Sequence, residues 1–478
     1  MNNSVPDSYM KGFIPYALAA FLIGLVGGLT TVLGPAFMQD MNLPYNNTTW
    51  TALSLAISSA VCAPILGKLS DILGRRSTLL LGISIFVIGN ILTAIAPSLI
   101  IMLIARFVVG IGTAAVAPTV MSYIITEFPP QAIAKGFSLY MVISSGAVIF
   151  GPSLGSLILE SWNWRTLIWI CVFLSAIFLI LCFLTHPKTL YTPKKLNDFD
   201  KSGAILVIIF FSLVLCIPSF GQNFGWLSNS FIVALFLAII SFIGLILSEK
   251  KAQNPILSGR FMKRKAFILP VIILFLTQGL MQANMTNVIV FVNYTQPDNT
   301  VISGYAISIM YLGMSLGSIL LGPLTDRFEP KRILTFSLLL TALGCVIMLF
   351  FSTTTTVLML AASLGTLGLG LGGNATIFMK IVLSNLPADT AGSGTGIYGL
   401  FRDLAAPFGV AIFVPMFTNQ ITRLLDGAST KITAASAAVC SIRTLSIIEL
   451  CCIIIGIIVV QFLPKIHKAN NYQKETIS

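Results

Sequence analysis

The sequence predicts an all-α membrane protein that crosses the bilayer fourteen times. Of its 478 residues, 56% are hydrophobic and only 9% are charged, whereas an average soluble domain has about 25% charged residues. The apolar residues form segments of the length that a helix needs to cross a bilayer, about 20 residues. The basic residues lie between these segments in an asymmetric pattern. This placement explains the net charge of +12 by membrane topology, so we expect the lipid bilayer, and no nucleic acid, as a partner.

Fourteen apolar segments have the length of a membrane span. The first of them lacks a small-residue cleavage site, so we expect it to stay in the protein as a span. The fourteen predicted spans lie near residues 13–38, 48–69, 77–97, 99–125, 137–159, 165–185, 202–220, 230–248, 266–293, 303–324, 333–351, 356–380, 394–418 and 444–463.

The basic residues predict the orientation of these spans. With the N-terminus in the cytoplasm, all but six of the 28 Lys and Arg residues fall in inside loops and tails. The six others are Arg165, Arg423, Lys431 and Arg443 outside, and Arg106 and Arg402 within spans. Positive charge collects on the cytoplasmic side of membrane proteins. We therefore expect a multi-pass protein of the cell membrane with both termini cytoplasmic.

An internal repeat predicts two homologous halves. The stretch "GKLSDILGRRS" begins at Gly67, and "GPLTDRFEPKR" begins 255 positions later at Gly322. The same offset places Pro152 on Pro407. Transporters are often built from such repeats, with the substrate site between them. The predicted organisation is a cytoplasmic N-terminus (1–12), a six-helix bundle (13–185), a linker with two extra membrane helices (186–265), a second six-helix bundle (266–464) and a cytoplasmic tail (465–478).

Several motifs carry a resemblance to a known family. "GKLSDILGRR" resembles the loop between helices 2 and 3 of the major facilitator superfamily, "RFVVGIG" its helix 4 motif and "GAVIFGPSLGS" its helix 5 antiporter motif. "NWRTLIWI", "DFDKSG" and "NPILSGRFMKRKAF" look like connectors of its fourteen-helix drug–proton antiporter branch. The resemblance implies the major facilitator fold, with two six-helix bundles plus two extra central helices, and a multidrug efflux transporter.

The repeated loop is the candidate gating motif. The resemblance implies a contact between the two halves that breaks and re-forms during transport, and the alternative is a solvated turn with ordinary topology charges. Its aspartates can accept hydrogen bonds from a helix N-terminus or pair with the nearby basic residues. The gating candidates are Gly67, Asp71, Gly74, Arg75, Arg76, Asp326, Lys331 and Arg332.

The helix 5 motif contributes Gly146, Gly151, Pro152 and Gly155. Gly151 and Gly155 are four residues apart and share one helix face, so a neighbouring helix can pack closely there. Pro152 removes a backbone hydrogen bond and is expected to bend the helix. The family uses this motif in antiporters, and the alternative is a generic glycine-rich packing seam.

Four charged residues within predicted spans are the proton-coupling candidates: Asp403, Glu449, Arg106 and Arg402. Asp403 is the leading candidate, since it lies roughly 14 Å into its predicted helix and the first span has no acid. Glu449 is second, and its alternative is a residue near the membrane surface. The resemblance gives Arg106 a part in proton coupling, and the alternative is a side chain that extends toward the surface.

The ninth predicted span is unusually polar. Gln278, Gln282, Asn284 and Asn287 lie in one apolar segment, where amides facing lipid would be costly. We expect them to line a substrate cavity, and hydrogen bonds between helices are the alternative. Tyr398, on the same helix face as Arg402, is a further cavity candidate.

The sequence favours a proton-coupled antiporter that exports small amphipathic compounds. The alternative is a dedicated exporter of one metabolite, such as a siderophore, lipid precursor or amino acid. We expect no enzyme, cofactor or metal site, because only His186 and His467 are present and the eight cysteines show no zinc or disulfide spacing. The glycine-rich stretch 365–373 lies in a span and is no nucleotide loop, so protons rather than ATP should drive a monomeric transporter.

Overall fold

The computed structural model describes residues 8–43, 47–129, 133–185, 201–251, 265–297, 301–384, 391–426 and 433–463, and this part of the chain forms sixteen α-helices. The helices are α1 (Ser8–Thr30), α2 (Leu33–Asp40), α3 (Thr48–Leu73), α4 (Arg75–Ala94), α5 (Leu99–Ala114), α6 (Val116–Glu127), α7 (Ile133–Ser161), α8 (Trp164–Thr185), α9 (Lys201–Phe224), α10 (Asn229–Lys251), α11 (Lys265–Thr295), α12 (Val301–Arg327), α13 (Pro330–Met348), α14 (Val357–Ser384), α15 (Ala391–Asp426) and α16 (Ala434–Gln461).

Twelve stretches of helix in the described part are long and apolar enough to cross a membrane, and α5 and α6 together form one of them, Leu99–Ile124. Each of the twelve coincides with a predicted span. The remaining two predicted spans fall on α3 and α9, where the described side chains form the shorter apolar stretches Trp50–Ala63 and Ile205–Pro218. The structure therefore confirms an all-α, multi-pass membrane protein, and the total of fourteen spans stays a prediction.

The first predicted span, 13–38, is wrong at its end, because the helix is interrupted after Thr30. The Thr30 hydroxyl donates to the carbonyl of Val26 at 2.9 Å, and the Thr31 hydroxyl donates to the carbonyl of Gly28 at 2.6 Å. Such back-bonding by threonine competes with the regular helical ladder. The chain then continues in the short helix α2.

The last predicted span, 444–463, is wrong at its start. Helix α16 begins ten residues earlier, at Ala434, where the Thr433 side chain caps it by accepting from the Ser436 N–H at 3.3 Å. A threonine at the N-cap satisfies one of the unpaired N–H groups of the first turn. The added segment is rich in alanine and serine, so its hydropathy is too weak to mark a span.

The chain divides into two compact units, Met1–Ile256 with Pro297–Ser308, and Leu257–Gln296 with Ile309–Ser478. The core of the first unit packs α1, α2, α4, α5, α6 and α8 together around large side chains such as Leu22, Phe37 and Trp164. The predicted domain boundaries at residues 186 and 266 stay a prediction.

Glycines bring equivalent helix pairs together in both units. In the first unit α1 packs on α7 at Gly28 and Gly151, and in the second α11 packs on α15 at Gly279 and Gly409. A methyl group placed on Gly279 would lie 3.0 Å from the Gly409 Cα. Because α1 and α11, like α7 and α15, are related by the offset of the sequence repeat, this similar packing supports the repeat.

Candidate functional site

In the described part of the second unit, one carboxyl group is completely buried. Glu449 lies in α16 with none of its surface exposed. The Cys345 thiol of α13 donates to its Oε2 at 3.5 Å, and the Asn284 side chain of α11 lies beside it. Its other oxygen, Oε1, has no hydrogen-bond partner in the described part of the chain. Three helices therefore enclose an acid that has few polar contacts.

Glu449 lies near the middle of α16, and the alternative of a position near the membrane surface stays a prediction. Helix α16 begins at Ala434, so Glu449 lies about 22 Å from its start at 1.5 Å per residue. The sequence predicts a much shorter distance from the start of the span, because the predicted span begins ten residues later, at residue 444. Cys345, its hydrogen-bond partner, was missed, since the cysteines were interpreted as apolar residues of the spans.

The amides predicted to line a cavity differ in burial. Asn284 and Asn287 are fully buried, and neither has a hydrogen-bond partner for its amide nitrogen or oxygen among the described residues. Gln278 and Gln282 are half-buried. Asn284 of α11 nevertheless lies beside Glu449 of α16, so the alternative of hydrogen bonds between helices is kept for it. Unpaired amides in an apolar interior are costly, which makes them candidates for binding a polar ligand.

A further buried amide was missed by the sequence analysis. Asn374 of α14 is fully buried, and both of its amide atoms lack a partner in the part of the chain that the structure describes. It follows directly on the glycine-rich stretch 365–373. The sequence signal that could have identified Asn374 is an amide within an otherwise apolar span. Together with Asn284 and Asn287, it brings three unpaired asparagines into the second unit.

Arg106 is a buried cation in the first unit. Its side chain in α5 is only 7% exposed, so the alternative that it extends toward the surface is wrong. Its Nε and Nη1 have no hydrogen-bond partner among the described residues, and the nearby Cys171 thiol is uncharged. Buried charges are usually paired because of their large desolvation cost. Arg106 thus resembles the unpaired polar groups of the second unit.

The antiporter motif lies where α7 packs against α1. Methyl groups on Gly151 and Gly155 would collide with the backbone of α1, whereas one on Gly146 would meet nothing within 4 Å. Pro152 is buried, and α7 continues as one helix through it. Of the three glycines, Gly151 and Gly155 therefore form the predicted close contact, and Gly146 does not.

The first copy of the gating motif forms a tight turn between α3 and α4. Gly74 has φ +88, a conformation that favours glycine, and Gly67 packs on Pro118. Arg75 forms an ion pair with Glu127 of α6 at 2.7 Å. Arg76 lies over the ring of Phe183, 5.7 Å from its centroid. The sequence analysis missed Glu127, which lies 52 residues from Arg75.

The second copy has a different set of contacts. Lys331 donates to the carbonyl oxygen of Gln461 at 3.3 Å, and Arg332 pairs with Glu329 at 3.6 Å. Four predicted site residues lie in helices whose side chains at these positions are outside the described part of the structure: Asp71, Asp326, Tyr398 and Asp403. Arg402 lies in α15 and is half-buried.

The fold and the buried polar groups define the class of protein, a multi-pass membrane transporter. The sequence profile of the Major Facilitator Superfamily matches residues 16–410, most of the chain. The chain therefore belongs to this superfamily, and it is a transporter rather than an enzyme.

Relatives with known names are distant. Multidrug resistance protein Stp of Mycobacterium tuberculosis (strain CDC 1551 / Oshkosh) is 24% identical over 86% of this chain and 76% of its own. Multidrug resistance protein 3 of Bacillus subtilis (strain 168) is 25% identical over 80% of this chain and 75% of its own. These similarities extend over most of both chains.

Solved structures show the same fold at low sequence identity. The POT family transporter PepTSo aligns with a TM-score of 0.68 and 14% identity, covering 96% of this chain and 98% of that chain. The nucleoside transporter NupG aligns with a TM-score of 0.64 and 14% identity, covering 95% of this chain and 100% of that chain. The alignments support the major facilitator fold, and a small-molecule substrate bound within the bilayer follows from the family.

Proposed function

We propose that the chain is a proton-coupled antiporter that exports small amphipathic compounds by alternating access. The proposal includes the fourteen-helix branch, a location in the cell membrane with both termini cytoplasmic, and a monomer as the working unit. Relatives named multidrug resistance proteins support the substrate class. The observation that carries proton coupling is the buried carboxyl group of Glu449.

A carboxyl group in such surroundings has the chemistry that proton coupling needs. None of the three ion pairs in the described part of the chain involves Glu449. Burial of an ionised carboxylate without a cation is costly, so a change in its surroundings can drive release or uptake of a proton. The thiol of Cys345 donates a weak hydrogen bond and supplies no compensating charge. Glu449 is therefore our first candidate for the proton-carrying acid.

Asp403 remains the second candidate. It lies in α15, thirteen positions into the helix that begins at Ala391. Its position within a membrane helix is the argument for it, as it was for the sequence analysis. For Glu449 the argument also includes its complete burial and its contact with Cys345, not only its position in a helix.

Transport into inside-out membrane vesicles with an imposed pH gradient tests the proposal. We expect accumulation of amphipathic dyes and drugs to stop when the gradient is collapsed, and unchanged flux would contradict antiport. Glu449→Gln should lower gradient-driven accumulation at least about tenfold, which corresponds to about 1.4 kcal/mol. Exchange of labelled for unlabelled substrate without a gradient should persist in this variant.

Two matched variants separate the candidate acids from a general effect of removing a carboxylate. Glu160→Gln removes an exposed acid from the end of α7 and should leave coupling intact. Asp403→Asn tests the second candidate directly. Full gradient-driven accumulation in Glu449→Gln, together with its loss in Asp403→Asn, would transfer the proton-carrying role to Asp403.

A dedicated exporter of one metabolite is the second candidate function. The buried amides of Asn284 and Asn287, which lack a close hydrogen-bond partner among the described residues, favour it, because they could satisfy hydrogen bonds of one particular polar substrate. The first span contains no acid that could attract strongly cationic drugs. A compound panel in the same vesicles separates the two functions: one accepted compound indicates a dedicated exporter, and many unrelated ones indicate multidrug export.

A further inference from the structure

A groove in the second unit combines two cations with an apolar surface. It has a volume of about 530 Å³ and lies between the start of α13 and the end of α16. Its polar lining includes Glu329, Lys331, Arg332 and Gln461, and its apolar lining includes Phe336 and Leu339. The exposed side chain of Arg332 (81%) shows that the cationic end is open.

The apolar lining continues as one exposed stripe along α13. Arg332, Phe336, Leu339 and Leu343 follow one another at intervals of four, three and four residues, so they share a helix face. The three apolar side chains are about half exposed, at 51%, 53% and 49%. From Arg332 to Leu343 the stripe extends about 16 Å, close to the thickness of one leaflet of the hydrocarbon core, about 15 Å.

The charges at the groove favour an anion. Among the described lining residues, the two cations Lys331 and Arg332 face one carboxylate, that of Glu329, which approaches the Arg332 Nε at 3.6 Å. The sequence continues past Gln461 with two more lysines, Lys465 and Lys468. In the predicted orientation this end of α13 lies at the cytoplasmic leaflet, where anionic lipids attract basic residues near the membrane surface.

We propose that this groove binds an anionic phospholipid, with its phosphate at Lys331 and Arg332 and an acyl chain along Phe336, Leu339 and Leu343. Free phosphate shares the headgroup chemistry but has no use for the apolar stripe. The resemblance gives Lys331 and Arg332 a different task, a gating contact, which would not depend on the lipid. The proposal concerns binding and does not rest on proton coupling.

Native mass spectrometry of the purified full-length chain tests the proposal. The chain is titrated with phosphatidylglycerol, with phosphatidylcholine of the same acyl chains, and with inorganic phosphate. We expect a clear preference for phosphatidylglycerol. Each cation near the membrane surface contributes about 1 kcal/mol. Removing one cation should therefore weaken phosphatidylglycerol binding about fivefold, and the double variant Lys331→Gln with Arg332→Gln should weaken it about thirtyfold.

Two further variants test the direction of the charge effect. Glu329→Gln removes the opposing carboxylate and should strengthen phosphatidylglycerol binding. Arg423→Gln removes an exposed cation from the end of α15, away from this groove, and should change nothing. Equal thermal unfolding midpoints of the variants show that they are folded.

Three results would overturn the proposal. An unchanged preference in the double variant would place the lipid elsewhere. Displacement of phosphatidylglycerol by inorganic phosphate at similar concentration would indicate a site for free anions. Loss of transport by the double variant in vesicles of pure phosphatidylcholine, with lipid preference intact, would assign the two cations to gating.

Discussion

The packing of α1 on α7 gives the sharpest prediction, because the antiporter motif supplies both a test position and its control. A methyl group on Gly151 would lie 2.7 Å from the backbone nitrogen of Leu29, and one on Gly28 would lie 2.9 Å from the Gly151 Cα. Backbone atoms cannot move away by changing a rotamer. Gly151→Ala must therefore push the two helices apart, whereas Gly146→Ala adds its methyl group in open space.

The magnitude follows from two opposing terms. Replacing glycine by alanine inside a helix is favourable by about 1 kcal/mol in both variants. Overpacking costs about 1–3 kcal/mol and applies only to Gly151, where heavy atoms at 2.7 Å would have to reach an ordinary separation of about 3.5 Å or more. The propensity gain cancels in the comparison. Gly151→Ala should thus be about 1–3 kcal/mol less stable than Gly146→Ala.

Thermal unfolding of the two purified variants, followed by tryptophan fluorescence at one scan rate, measures this difference. With about 2–4 °C per kcal/mol for a unit of roughly 250 residues, the midpoint of Gly151→Ala should lie several degrees below that of Gly146→Ala. The same scan rate is needed because unfolding of such proteins is often irreversible. Equal midpoints, or a higher one for Gly151→Ala, would refute the assignment of Gly151 as the close contact.

Three further predictions concern polar groups. The Arg165 guanidinium donates to Asp40 at 2.7 Å and holds the pKa of that carboxyl below its ordinary value of 3.8. The ion pair therefore adds stability above that pH, and this stability is lost as the pH falls further. Because both side chains are about 40% exposed, Arg165→Gln should cost no more than about 1 kcal/mol at pH 7. The unfolding midpoints of the variant and the unchanged protein, measured between pH 3 and pH 7, should converge at the acid end. Arg106→Met should raise the unfolding midpoint by removing a buried charge that has no partner among the described residues, and it should abolish gradient-driven transport. A lower midpoint would show that Arg106 has a structural partner. Gln296→Ala removes the 2.7 Å hydrogen bond to the Thr355 carbonyl and should cost about 1 kcal/mol with normal transport in vesicles.

The spans could be predicted from the sequence because length and hydropathy set them directly. The ends of the first and last spans could not, since each depends on local hydrogen bonds. Thr30 and Thr31 turn their hydroxyls back onto the helix, and Thr433 caps a segment of alanine and serine. Hydropathy averaged over a span is insensitive to a single hydroxyl, so boundaries of this kind are visible only in the structure.

The candidate site, like the spans, could be predicted from the sequence only in part. The spacing of Gly151 and Gly155 predicted a close helix contact, because four residues return to the same helix face. The sequence offers Asp71 as one possible partner of Arg75, and the structure adds Glu127. Glu127 lies in another helix, and a single sequence does not show which distant acid the fold brings next to Arg75.

Among the Asp, Glu, Lys and Arg side chains that the structure describes, each unit buries one, and its own described part offers that group no partner of opposite charge. In the first unit it is Arg106, and in the second it is Glu449. A role in folding alone would favour an apolar residue of similar size at either position, since an unpaired buried charge destabilises the folded state. Natural sequences keep such costly groups mainly where function needs them. The same reasoning covers Asn287 and Asn374, whose amides have no partner among the described residues and would be satisfied by a bound substrate but not by a closed, dry interior.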